Sequence, residues 1–174
     1  MQAQTRSAGG ESQRATAGLY LPDERRRRDA SVWTVVQGVL APLQFLIFGI
    51  SLALVLRYLA TGDGAAVALA SVVVKTIILY VIMITGSIWE KVVFGKWLFA
   101  DAFFWEDVVS MLVLALHTAY LVALAWGLLS PRGLMLLALA AYAAYVVNAV
   151  QFVWKLRLAR RQASDHAPAE AFAA

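Results

Sequence analysis

Between positions 89 and 107 four carboxylic acids, Glu90, Asp101, Glu106 and Asp107, stand among seven large aromatics: Trp89, Phe94, Trp97, Phe99, Phe103, Phe104 and Trp105. A carboxyl partly withdrawn from water can hold a proton at neutral pH and deliver it as a general acid, so this segment is the first place to expect proton chemistry. The same composition also suits an interfacial aromatic belt with solvated acids paired to Lys91 or Lys96. Both readings stand on the residues alone.

A second set of residues is notable for its surroundings. Gln44, Lys75, His117 and Asn148 each interrupt a long apolar stretch near its middle, where a polar group is costly in hydrocarbon. Gln37, Gln44 and Ser51 recur every seventh residue and so share one stripe of a helix, which should face other helices. Ser71, Lys75, Ile78, Ile82, Thr85 and Trp89 make a similar stripe, as do Glu106, Ser110, Val113, His117 and Tyr120; Tyr145, Asn148 and Lys155 approximate a fourth. Interhelical hydrogen bonding accounts for such groups in many bundles. Ionisable residues at mid-depth also mark sites, and His117 is the candidate axial ligand for a metal.

The elements that must carry these residues follow from composition. The 174 residues are 61% hydrophobic and 15% charged, with mean hydropathy +0.70, and a soluble domain carries roughly 25% charged residues. Four uncharged or nearly uncharged runs, at about 32–59, 65–88, 108–129 and 134–154, are each long enough to cross roughly 30 Å of hydrocarbon as a helix. Thr61-Gly62-Asp63-Gly64 and Ser130-Pro131-Arg132-Gly133 are short turns, so the runs pair into two hairpins joined by the interfacial aromatic-acidic segment 89–107. The expected fold is an all-α integral membrane protein, a bundle of four transmembrane helices over residues 32–161. A polar leader, 1–31, and a small-residue tail, 162–174, have the composition of disorder.

Basic residues crowd the N-terminal flank (Arg25 to Arg28), the middle segment and the C-terminal flank (Lys155, Arg157, Arg160, Arg161), whereas the turns hold only Arg57 and Arg132. The positive-inside rule therefore predicts that both termini and the middle segment are cytoplasmic. The pI near 9.6 reflects charge beside apolar runs, which fits lipid headgroups and topology and argues against nucleic acid as a partner. Cysteine is absent, which excludes disulfides, thiolate metal sites and cysteine nucleophiles, and nothing indicates a metal site of the protein's own.

Trp33-Thr34-Val35-Val36-Gln37-Gly38-Val39-Leu40-Ala41-Pro42-Leu43-Gln44-Phe45, Trp89-Glu90-Lys91-Val92-Val93-Phe94-Gly95, Phe103-Phe104-Trp105-Glu106-Asp107 and Ala115-Leu116-His117-Thr118-Ala119-Tyr120 together resemble the 3-vinyl (bacterio)chlorophyllide hydratase family of bacteriochlorophyll biosynthesis. The resemblance runs from about Leu19 to Arg161. It implies addition of water to the C3 vinyl group of a magnesium tetrapyrrole, without a cofactor, in the cytoplasmic or intracytoplasmic membrane of a phototrophic bacterium. Other enzymes of that pathway are candidate partners. No catalytic residues carry over.

Such a reaction needs an acid to protonate the terminal vinyl carbon, a base and a water to capture the cation, and an apolar slot for a flat amphiphile. The candidates for acid and base are Glu106, Glu90, Asp107 and Asp101. Candidate substrate contacts are His117, on the magnesium or the ring, Lys75, on the propionate, and Gln44, Asn148, Tyr120, Trp105 and Trp89. Glu106 and His117 sit eleven residues apart, about 16 Å at 1.5 Å per residue, which spans a tetrapyrrole rather than its radius. Either the acid is another residue or His117 is not the ligand. The competing readings are a non-enzymatic protein that binds tetrapyrrole or assembles a photosynthetic complex, and a small transporter, for which no inverted repeat is evident.

Overall fold

A computed structural model describes residues 19–171, with side chains as far as Leu158. Within them the chain is helical, with no strand: α1 (Pro22–Ala30), α2 (Val32–Thr61), α3 (Ala65–Phe94), α4 (Phe104–Ala125) and α5 (Pro131–Ala171). Helices α2, α3, α4 and the Pro131–Leu158 part of α5 are each long and apolar enough to cross a membrane. Leu46, Ile84 and Val147 are among the large apolar side chains that point outward, a surface stable only in lipid.

Local chemistry sets the helix ends. Ser31 caps α2 by accepting the Trp33 N–H, and α5 opens on Pro131, whose missing donor would have been unpaired there in any case. Helices α2 and α3 end on Gly62 (φ 80°) and Gly95 (φ 78°), a left-handed conformation that costs a residue with a Cβ about 1–2 kcal/mol.

Part of the leader expected to be disordered is helix α1, while residues 1–18 lie outside those described. Asp23 and Glu24 in its first turn and Arg27 and Arg28 in its last complement the helix dipole. The Arg27 Nε donates to the Val93 carbonyl at 2.8 Å, so α1 is tied to the otherwise unpaired C-terminal carbonyls of α3. Helix α3 itself continues through Trp89–Phe94, because Glu90 and Val93 still face inward and Gly95 is the first residue able to adopt the cap. Helix α4 starts at Phe104 instead of Val108. The loop is thus shortened to residues 95–103, and Glu90, Glu106 and Asp107 all stand on helices. With neither Gly nor Pro between Leu134 and Ala167, α5 continues past Trp154 through most of the expected tail; residues 172–174 lie outside those described.

Helix α2 packs along α3 and α4 along α5, and the two hairpins meet where α2 packs on α5 and α3 on both α4 and α5. The half of the bundle near the two tight turns is filled. Val55, Val72, Tyr120, Met135 and Tyr142 form its core, and the Ser51 hydroxyl meets both the Ser71 hydroxyl (2.8 Å) and the Tyr142 hydroxyl (2.6 Å). At the opposite end meet the start of α2, the end of α3, the start of α4 and Lys155 of α5. There the hairpins are separated by a cavity, roofed by α1. Tyr142→Phe should lower the unfolding free energy in detergent by about 0.6 kcal/mol, the usual contribution of one interhelical hydrogen bond, as measured by reversible denaturation.

Candidate functional site

The cavity has a volume of about 1210 Å³, above the roughly 300–1,000 Å³ of ordinary small-molecule pockets. Small residues keep it open: a Cβ added at Gly38 would meet nothing within 4 Å, and Ala41 and Gly86 line the same space. Phe45, Leu79, Ile82, Met83 and Phe152 supply apolar walls, and Arg25, Arg26 and Arg28 of α1 stand at its mouth. Tyr20 closes one side, stacked on Phe94 and covered by the Arg28 guanidinium. Burial pushes the Tyr20 phenol above its ordinary range against the opposing pull of Arg28, so it remains a donor at neutral pH.

Two of the four expected acids reach this space. Glu90, near the end of α3, and Asp107, in the first turn of α4, are both buried, line the cavity and bring their carboxyls within hydrogen-bonding reach of each other. Consecutive backbone donors of the loop hold them: the Phe99 N–H donates to Asp107 Oδ2 at 2.7 Å, and the Ala100 N–H to Glu90 Oε2 at 3.3 Å. To aim its N–H this way Phe99 adopts φ 58°, unusual for a residue with a Cβ, and it is held there against the Phe104 ring. Glu106 faces away, into a shallow groove on α5, and is ion-paired with Lys155 at 2.6 Å. Asp101 is exposed and paired with Lys96 at 2.9 Å.

The expected substrate contacts divide in the same way. Gln44, Asn148 and Trp89 line the cavity, while Trp105 points outward with 69% of its surface exposed. Tyr120 lies in the filled half, its hydroxyl donating to the Leu69 carbonyl. Lys75 and His117 are fully buried against each other. The His117 Nδ1–H donates to the Val113 carbonyl at 2.8 Å, which leaves Nε2 to accept from Lys75 Nζ, also at 2.8 Å. Both ring nitrogens are therefore engaged, and neither residue reaches the cavity. Lys75 Nζ further rests 4.1 Å from the centre of the Tyr145 ring.

Along the Gln37–Gln44–Ser51 stripe the partners differ. Gln37 donates to Thr85 and Ser51 meets Tyr142. Gln44 is 2% exposed, and among the described residues neither end of its amide has a partner. Asn148 donates to Ser110 at 2.8 Å while its Oδ1 is likewise unpartnered. The arginines at the mouth were legible in the sequence only as topology signals. Their place beside the cavity depends on the helix that carries them.

A family description of 2-vinyl bacteriochlorophyllide hydratases matches residues 20–158. The chain belongs to that family. It is 66% identical over 143 residues to the 2-vinyl bacteriochlorophyllide hydratase of Cereibacter sphaeroides, covering 82% of this chain and 88% of the relative. To the enzyme of the same name from Rhodobacter capsulatus it is 63% identical over 148 residues, 84% of this chain and 85% of the relative. No solved structure is significantly similar. The chain is thus a hydratase by family, and the matched segment contains Glu90, Asp107, Gln44 and Asn148 together with the α1 arginines. Gly38→Trp should fill the cavity and abolish substrate binding, whereas Gly49→Trp, equally unobstructed but outside the cavity, should leave it near the parent level. Absorbance titration of the purified protein measures both.

Proposed function

We propose that this protein adds water across the C3 vinyl group of a chlorophyllide or bacteriochlorophyllide to give the 3-(1-hydroxyethyl) product, with the Glu90–Asp107 pair as its acid and base. The observation that carries this reading is the placing of two buried carboxyls, held on consecutive backbone N–H groups, in the wall of an apolar cavity large enough for a macrocycle. Two carboxyls hydrogen-bonded to each other share at least one proton, and the state with one proton and one charge is the complement that hydration needs. Asp107 is the better site for the charge, because it stands at the N-terminus of α4 and takes the shorter backbone hydrogen bond. Glu90 then carries the proton.

In the reaction Glu90 transfers that proton to the terminal vinyl carbon. A C–H bond forms as the π bond breaks, and the cation left on the carbon attached to the ring is delocalised into the macrocycle. A water oxygen bonds to that carbon and gives a proton to Asp107. The pair again holds one proton, which passes back across its hydrogen bond to Glu90. No electrons are exchanged, and the net change is one water added.

The substrate's propionate suits the cationic mouth formed by Arg25 and Arg28, and the ring suits the walls between α2, α3 and α5. Lys75 and His117 then serve as a strut between α3 and α4. The mouth is also the end rich in basic residues, which supports placing it on the cytoplasmic face of the bacterial membrane, where a macrocycle can enter from the lipid or be passed on by a neighbouring enzyme.

Glu90→Gln and Asp107→Asn should each lower kcat by about 10²–10⁴-fold, as for loss of a general acid or base. Glu106→Gln and Asp101→Asn should remain close to the parent rate. Incorporation of ¹⁸O from labelled water into the product measures all four; substrate binding without any incorporation by the parent protein would instead indicate a carrier. Arg25→Ala with Arg28→Ala should raise KM for the free acid and leave it unchanged for the propionate methyl ester, as measured by initial rates on both.

A further inference from the structure

Gln44 is a buried amide whose neighbours on its own stripe are satisfied and which is not. The residue is 2% exposed and belongs to the cavity lining, and its amide has no partner at Oε1 or Nε2 among the described residues. A carboxamide left this way forfeits its hydration without return, so its position implies a group that arrives with the ligand.

We propose that the Gln44 carboxamide oxygen is the axial ligand of the magnesium at the centre of the bound substrate. The proposal rests on the hydratase reading above and adds to it how the ring is held. Magnesium is a hard cation that takes oxygen donors; the four ring nitrogens occupy its equator and leave an axial position open. No histidine lines the cavity among the described residues, and His117 has both nitrogens engaged.

Depth separates Gln44 from the other unpartnered oxygen on a cavity-lining residue, Asn148 Oδ1, while the unpartnered Gln151 Oε1 belongs to a residue of the groove beside Glu106. Asn148 is bonded to Ser110, one helical turn below Asp107, at the level of the ring edge and the reacting water. Gln44 is next in sequence to Phe45, whose ring meets Tyr145. Because Lys155 meets Glu106 and Asn148 meets Ser110, Asp107 lies about two turns of α5 further along than Tyr145, on the order of 10 Å at 1.5 Å per residue. That separation suits a metal at the ring centre and a vinyl group at its edge. Side chains lean toward the N-terminus of their own helix, so Gln44 on α2 and Glu90 on the antiparallel α3 lean toward each other from opposite ends of the cavity.

The test compares binding of the magnesium substrate and its metal-free counterpart by the purified full chain, followed by absorbance, for the parent protein, Gln44→Leu and Gln44→His. The parent should prefer the magnesium form by roughly tenfold or more, Gln44→Leu should bind both forms equally, and Gln44→His should restore the preference through its imidazole. The shift of the visible bands that accompanies axial ligation should appear with the parent and Gln44→His and be missing in Gln44→Leu. Without ligand, Gln44→Leu should melt no lower than the parent, because it removes an unpaired amide. Equal binding of both forms by the parent, or a preference that survives in Gln44→Leu, would overturn the ligand assignment while leaving ¹⁸O incorporation, and so the hydratase reading, untouched. A parent protein that binds neither form would overturn both.

Discussion

Within hydrocarbon no water is available to satisfy a polar side chain, and this requirement organises the bundle more than any single apolar contact. Lipid is as apolar as leucine, so Leu, Val and Ile gain little by turning inward, and many of them do point outward. The polar residues turn inward, and each needs a partner on a neighbouring helix. Lys75 with His117 joins α3 to α4; Ser51 with Ser71 and Tyr142 joins α2 to α3 and α5; Ser110 with Asn148 joins α4 to α5. These few bonds fix the rotation of every spanning helix about its axis.

Once those rotations are fixed, the division of the bundle into a filled half and an open half follows. The filled half has large side chains such as Tyr120, Tyr142 and Met135 between the helices, whereas the open half has Gly38, Ala41 and Gly86 on its walls. Helix α1 and the shortened loop complete the open half from one end. The loop does more than join two hairpins: its successive N–H groups, one presented by the left-handed Phe99, hold the Glu90 and Asp107 carboxyls at the cavity wall. Rigid support of this kind is what the proposed acid–base pair would need, since an unsupported carboxyl would relax toward solvent or toward one of the arginines at the mouth.

The mid-depth polar belt therefore separates into two kinds of residue. Lys75 and His117 bond to each other in the packed interior, away from the cavity. Gln44 and one end of Asn148 are left unpaired beside the cavity. Likewise, of the acids, Glu106 is ion-paired with Lys155 and Asp101 with Lys96, and the two without an ion pair, Glu90 and Asp107, held by the loop backbone, are those in the cavity.

The sequence by itself determined the class of fold and the inward stripes, because run length against bilayer thickness and the cost of a charge in lipid are properties of the chain, whatever its neighbours. It also carried the family, through motifs dense in aromatic and polar residues. The length of the middle loop was less legible, since Trp89–Phe94 reads as interfacial by composition and is kept helical by the burial of Glu90 and Val93 and by the cap at Gly95. Which members of a stripe pair off, and which face an open space, belonged to the tertiary structure alone. Residues spaced by seven share a face but meet different helices at different depths, so Gln37 and Ser51 find partners where Gln44 meets a cavity. Glu106 and Asp107 are adjacent in sequence and roughly 100° apart on a helix, and that rotation sends one to a lysine and the other to the cavity.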